Sequence, residues 1–124
     1  MAHGPRFEQL CLAARAQVNG ISVAETKALL DEGRMPLLID VREVAEWALS
    51  RLPDAVYMGK GVLERDIEAA VPDLATPMIL YCGGGYRSAL SAENLQKMGY
   101  TAVVSMDGGF RGWCEVGYPL VTPE

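Results

Sequence analysis

The chain contains a single histidine, His3, and it stands at the very beginning. Chain ends are the least ordered parts of most domains, so a Cys/His or Ser/His dyad is very hard to build here. Cysteine proteases and serine hydrolases are disfavoured accordingly. No second metal-type ligand accompanies His3, which reads as an incidental surface residue. Cysteine is scarce too: Cys11, Cys82 and Cys114 make an odd count of 3 without CxxC spacing. That favours neither a disulfide framework nor a zinc site, and it fits a reducing compartment. Basic residues are outnumbered, 11 Lys and Arg against 16 Asp and Glu, for a net charge of -5. No basic stripe appears, which argues against a general nucleic-acid binder. No apolar run reaches membrane length, and Arg6, Glu8 and Arg15 interrupt the N-terminal apolar residues where a signal peptide needs a continuous core. The expectation is a cytoplasmic protein with neither a nucleic-acid nor a membrane partner.

What is present is a chain of 124 residues, 50% of them hydrophobic, with no low-complexity block. This length buries one core without staples and is too short for two ordinary domains. Apolar residues at Phe7, Leu10, Cys11 and Ala14 form a helical stripe over Phe7 to Val18, ending near Asn19 and Gly20. Ser22 followed by Glu25 has capping-box spacing, which predicts a helix from about Val23 to Asp31 that stops at Gly33. Leu37 to Val41 is a short, continuously apolar strand, as in a parallel sheet covered on both faces. Glu43 to Leu49 reads as a short helix, Ala55 to Met58 as a strand, Val62 to Ala70 as a helix and Met78 to Tyr81 as a strand. A helix over Ser88 to Met98 stops at Gly99, and Thr101 to Met106 is the last strand. Strands alternating with helices at this spacing indicate an α/β layer fold with a mainly parallel sheet. Ligands of such sheets gather beyond the carboxyl ends of the strands, where Asp40 and Cys82 both fall.

Cys82 ends an apolar run and is followed by Gly83, Gly84, Gly85, Tyr86, Arg87 and Ser88. A glycine-rich turn entering a helix aims successive N–H groups into one concavity, and the helix end adds partial positive charge. Such a nest favours an anion. Beside it, and near Arg87, the charged form of Cys82 is favoured, so the loop offers a nucleophile without a histidine base. A plain tight turn needs neither three successive glycines nor an adjacent cation.

The loop resembles the active-site loop of rhodanese domains: Cys, two variable residues, Gly, one variable residue, Arg, then Ser or Thr. Cys82, Gly85, Arg87 and Ser88 match it position by position. Upstream, Asp40 Val41 Arg42 Glu43, Glu46 Trp47, Leu52 Pro53 and Ala55 are similar to the family's first signature. Downstream, Gly99 Tyr100, Met106 Asp107 Gly108 Gly109, Trp113 and Gly117 Tyr118 Pro119 are similar to its closing one. One departure is Ser50 Arg51 Leu52 Pro53, where the family commonly has Gly His in place of Ser50 Arg51. The resemblance implies a rhodanese-like domain over residues 21–120, with a five-stranded sheet covered by helices on both faces and residues 1–20 as a helical extension packed on it. It further implies that Cys82 takes the outer sulfur of a small anionic donor such as thiosulfate as a persulfide. The sulfur then passes to cyanide, a thiol or a protein acceptor, with no metal or organic cofactor. Arg87 and the N–H groups of Gly83, Gly84, Gly85 and Tyr86 draw the donor and hold the terminal sulfur.

Several residues keep two readings. Ser88 either donates to the sulfur or caps the helix, capping being the expected role. Asp40 and Arg42 either brace the loop as an ion pair or are solvated loop charges. Trp47 and Trp113 are expected in the core, as are Cys11 and Cys114, although Cys114 could resolve an oxidised Cys82 in a redox-sensing or sulfur-carrier module. Phosphatases and arsenate reductases related to this fold place five residues between Cys and Arg, whereas only Gly83, Gly84, Gly85 and Tyr86 lie between Cys82 and Arg87. The shorter loop suits one sulfur atom better than a tetrahedral oxyanion.

Overall fold

The structure, a computed structural model, describes residues 3–123. Eleven elements follow in chain order: α1 (Pro5–Gln17), β1 (Asn19–Ile21), α2 (Val23–Asp31), β2 (Leu37–Asp40), α3 (Val44–Leu49), β3 (Val56–Tyr57), α4 (Leu63–Ala70), β4 (Met78–Tyr81), α5 (Tyr86–Lys97), β5 (Val103–Met106) and α6 (Gly109–Glu115). Pro5 opens α1 at a position where its missing N–H costs nothing. The capping box at α2 forms as its spacing predicts: Glu25 N–H donates to Ser22 Oγ at 2.9 Å and Ser22 N–H to Glu25 Oε1 at 3.0 Å. Gly99, at φ 106°, ends α5 in the left-handed conformation that a side chain resists.

The sheet is five-stranded and wholly parallel, in the order β1-β5-β4-β2-β3. β1 is the strand that residue patterning misses; three residues reading Asn-Gly-Ile carry no apolar run, and pairing with β5 alone makes them a strand. α6 is also missed, because Gly109 and Gly112 weaken its helical pattern.

Alternation along the strands sorts the core into two layers. Ile39, Val41, Met78, Leu80 and Cys82 pack with Leu63 and Ile67 of α4 and Ala92 and Leu95 of α5. Leu38, Ile79, Tyr81 and Met106 pack on the opposite face with Leu29 and Leu30 of α2 and Trp113 of α6. The expectation of helices on both faces is met. α1 adds a further layer against α5, burying Cys11 and Ala14. No helix among the described residues is long and apolar enough to cross a membrane.

The topology creates the site. β2 continues through α3 to β3 on one side, while its neighbour β4 continues through α5 to β5 on the other. The connections therefore diverge beyond the carboxyl ends of β2 and β4, and the loop that follows Cys82 lies where they part.

Candidate active site

Cys82 leaves β4 with its side chain in the α4–α5 layer, and its chain then turns through three glycines into α5. Gly85 occupies the N-cap at φ 97°, and its N–H donates to Cys82 Sγ at 3.1 Å. α5 begins at Tyr86, two residues before the expected Ser88, so Ser88 lies inside the first turn and caps nothing. Its buried hydroxyl instead accepts from the Cys82 thiol at 3.5 Å and shares a hydrogen bond of 2.8 Å with Ser105 Oγ.

α6 orients the loop from behind. Phe110 N–H donates to the Cys82 carbonyl at 2.8 Å and Arg111 N–H to the Gly83 carbonyl at 2.9 Å. A trans peptide unit points its N–H opposite to its carbonyl, so these bonds turn the N–H groups of Gly83 and Gly84 away from α6. The fit leaves no slack: a Cβ on Gly109, which sits at φ 56°, would lie 2.5 Å from the Cys82 carbonyl oxygen.

Arg87 reaches back over the loop to Glu46 on α3. Its Nη1 and Nη2 donate to Glu46 Oε1 at 2.9 Å and Oε2 at 3.3 Å, and Glu46 Oε1 also accepts from the Glu43 N–H at 3.0 Å. The hydrogen bonds from Arg87 hold the Glu46 carboxyl below its ordinary range, and the same bonds raise the Arg87 guanidinium. Arg87 thus stands at the loop already paired, and sequence reasoning missed Glu46 as its partner although both residues lie in matching signatures.

Asp40 and Arg42 resolve as a buried ion pair rather than solvated loop charges. Arg42 Nε lies 3.0 Å from both carboxylate oxygens and Nη2 is 2.7 Å from Oδ2. Tyr81 donates its hydroxyl to Asp40 Oδ2 at 2.6 Å and accepts from the Leu52 N–H at 3.2 Å. Burial, reinforced by the Asp40 charge, pushes the Tyr81 phenol above its ordinary range, so it stays a donor. Arg42 Nη2 also donates to the Ser50 carbonyl at 2.6 Å, and its guanidinium lies 4.1 Å from the centre of the Phe110 ring. Through Tyr81 of β4 and Phe110 of α6 the pair is tied to both elements that hold the loop, with no hydrogen bond to Cys82. Arg51, in the departing segment, stacks its guanidinium 3.7 Å from the Trp47 ring.

A cavity of about 700 Å³ opens above the thiol, lined by Cys82, Gly83, Gly84 and Arg87 and also by residues that sequence reasoning did not place there. His3, Phe7 and Arg111 are among them. His3, read as incidental, packs its ring 5.2 Å from Tyr86 and 5.1 Å from Phe7. No pattern in a lone N-terminal histidine reveals this; it follows from where α1 lies across α5. Trp113 is fully buried as expected, whereas Trp47 is only partly covered. All three cysteines are free; Cys11 is buried, with its thiol pushed up by that burial and then by Cys82, but Cys114 is exposed, contrary to expectation. α6 is short enough that Cys114, one position beyond Trp113, faces outward.

The geometry agrees with what comparison finds. A sulfurtransferase from Allochromatium vinosum is 30% identical over 107 residues, covering 86% of this chain and 98% of its own. The thiosulfate sulfurtransferase GlpE of Pseudomonas syringae pv. syringae is 32% identical over 100 residues, covering 81% of this chain and 90% of its own. Among solved structures, a protein of unknown function from Rhodopseudomonas palustris, a possible tyrosine phosphatase, superposes with a TM-score of 0.85 at 25% identity, covering 98% of this chain and 96% of that one. The model of the rhodanese-like domain matches residues 22–116, from the cap of α2 to the end of α6, and the chain belongs to that family.

Proposed function

We propose that this protein transfers sulfane sulfur through a persulfide on Cys82. The observation that carries the reading is the Gly85 N–H at 3.1 Å from Cys82 Sγ, in a loop whose Gly83 and Gly84 amides are turned away from α6. The Cys82 thiolate attacks the outer sulfur of thiosulfate; the Cys82–sulfur bond forms as the sulfur–sulfur bond of the donor breaks, and sulfite leaves with the electron pair. The terminal sulfur of the persulfide then carries the negative charge, and the loop N–H groups of Gly83, Gly84, Gly85 and Tyr86 receive it at no cost of reorganisation. A thiophilic acceptor, whether cyanide, a thiol or a protein thiol, attacks that terminal sulfur and frees Cys82. Ser88, hydrogen-bonded to the sulfur and held by Ser105, fixes the Cys82 rotamer, and Arg87 with Glu46 braces the loop. Asp40 and Arg42 act behind these as support. Three free cysteines fit a reducing, cytoplasmic setting.

Two features of the loop weigh against phosphate or arsenate chemistry. Its four residues between Cys82 and Arg87 form a narrower ring than a tetrahedral oxyanion requires. The guanidinium that would hold such an anion is bound to Glu46. The experiment is turnover of thiosulfate beside an aryl phosphate, with intact-mass spectrometry of the protein. Thiosulfate is expected to add the mass of one sulfur to the parent protein and none to Cys82→Ala, with no aryl phosphate hydrolysis. Full labelling of Cys82→Ala, or phosphate hydrolysis outpacing sulfur transfer, overturns the reading.

A further inference from the structure

Two buried hydroxyls lead away from the Cys82 thiol. Ser88 Oγ lies 3.5 Å from Cys82 Sγ and 2.8 Å from Ser105 Oγ, with Ser88 fully buried and Ser105 only 2% exposed. In the second of these bonds either serine can be the donor. Ser105 in turn lines a second pocket of about 310 Å³, together with Arg15, Ala16 and Val18 at the end of α1, Gly20 and Asp107. At about 30 Å³ for each molecule, that volume holds water.

Gly20 keeps this pocket open beside Ser105. It is the β1 residue in register with Ser105, and registered residues of neighbouring strands face the same side of a sheet, so its absent side chain leaves space next to the serine. The Asp107 carboxylate occupies part of that space: a Cβ on Gly20 would stand 2.5 Å from Asp107 Oδ2.

The charges on the two sides of the thiol differ. The cavity in front of it carries the guanidinium groups of Arg87 and Arg111, with Glu46 bound to Arg87 and with Glu8 and His3 in the wall. The second pocket carries the Asp107 carboxylate, with Arg15, which lines both cavities, 3.6 Å from it. From α1 the buried Cys11 thiol holds its own proton, pushed up by burial and then by Cys82, while Lys60, ahead of α4, acts on it in the opposite sense.

Resting on the persulfide reading, we infer that Ser105 is a positioning residue in a proton path that runs from Cys82 through Ser88 to water in the second pocket. As the thiol ionises, its proton passes to Ser88 Oγ, the Ser88 proton to Ser105 Oγ and the Ser105 proton to water. One S–H and two O–H bonds break while three O–H bonds form, and no oxidant or reductant enters. Both hydroxyls finish reversed: Ser105 donates to Ser88, and Ser88 donates to the Sγ thiolate. The nucleophile is thereby charged while a donor anion fills the cavity in front of it, and the proton does not cross between Arg87 and Arg111, whose charge repels it. When the acceptor has taken the sulfur, the same path returns the proton.

The test is single-turnover loading of Cys82 by thiosulfate, followed as sulfite release across a pH series in the parent protein, Ser105→Ala, Ser105→Thr, Gly20→Ala and His3→Gln. On the acid side of the parent's profile, where the thiol still has to lose its proton, Ser105→Ala is expected to load about five- to tenfold more slowly, the scale of one hydrogen bond. The deficit is expected to shrink as pH rises, and Ser105→Thr, which keeps the hydroxyl, to recover most of it. Gly20→Ala keeps both serines and meets only the end of the Asp107 side chain, so it crowds the pocket alone; acid-side loading is expected to slow about two- to threefold. His3→Gln is expected to leave the profile in place. A deficit in Ser105→Ala of one factor at every pH marks a merely structural serine and overturns the path. Parent-like loading in Ser105→Ala or Gly20→Ala, or a shifted profile in His3→Gln, overturns it as well; should Ser105→Ala fail to fold by circular dichroism, Gly20→Ala decides. Absence of sulfite release from the parent protein at every pH instead overturns the persulfide reading.

Discussion

Glu46 shows how much a single side chain settles at this site. It ties α3 to the start of α5, since its carboxylate accepts from Arg87 in the first turn of α5 and from the Glu43 N–H at the cap of α3. Its lowered proton affinity means that the pair contributes stability above the ordinary carboxylate range, and that this contribution is lost as pH falls through the depressed value. With Glu46 38% exposed and Arg87 29%, the contribution is that of a screened surface pair, under about 1 kcal/mol. Glu46→Gln is therefore expected to lose less than about 1 kcal/mol at neutral pH and to converge on the parent protein in acid. Denaturant unfolding across a pH series checks this, and a gap that persists below the carboxylate range would show that the pair is not its cause. The pairing itself was hidden because the two residues are 41 positions apart. By contrast, Asp40 and Arg42 lie two positions apart, but their charge type fits an ion pair and solvated charges equally. What buries them is the Tyr81 hydroxyl and the Ser50 carbonyl, partners that only the folded chain supplies. Losing one member of such a buried pair typically costs about 3–5 kcal/mol, so the pair anchors the ends of β2 and β4 more firmly than Glu46 anchors the loop.

At the level of elements, what was legible followed the strength of local signals. β4, β2 and α2 were readable because uninterrupted apolar runs and a capping box are written within a few residues. β1 and α6 were not, since their conformations come from partners: β5 pairs with β1, and the loop carbonyls of Cys82 and Gly83 hold the start of α6. α6 is nevertheless the element that aims the loop, and Gly109 is where the two backbones touch. Gly109→Ala adds a clash with the Cys82 carbonyl to the strain of φ 56°, whereas Gly117→Ala, at φ 75°, meets nothing within 4 Å among the described residues. The expected losses are about 1 kcal/mol for Gly117→Ala and at least about 2 kcal/mol for Gly109→Ala. Only the second should also slow persulfide formation, followed by mass spectrometry after mixing with thiosulfate. Equal loading rates in the two variants would mean that α6 does not set the loop geometry.

Across the whole molecule, Cys82 and its supporting residues fall within the matched residues 22–116, while Phe7, Glu8 and Arg15 of the cavity wall come from α1, which lies outside them. The sheet does not need α1 for its strand pairing, because β1 binds β5 directly. What α1 supplies is cover: Cys11 and Ala14 are buried where it packs on α5, the helix that carries the loop. A chain beginning at Val18 is therefore expected to remain folded and to form the Cys82 persulfide with thiosulfate. Its denaturation midpoint should fall, because the α1 face of α5 is opened to water. Circular dichroism and intact-mass loading measure the first two expectations, and an unfolded truncated chain would make α1 part of the domain's core rather than an extension of it. Sulfur loading that survives the truncation would place the persulfide chemistry in the sheet and loop of the matched residues 22–116, with α1 contributing cover and stability.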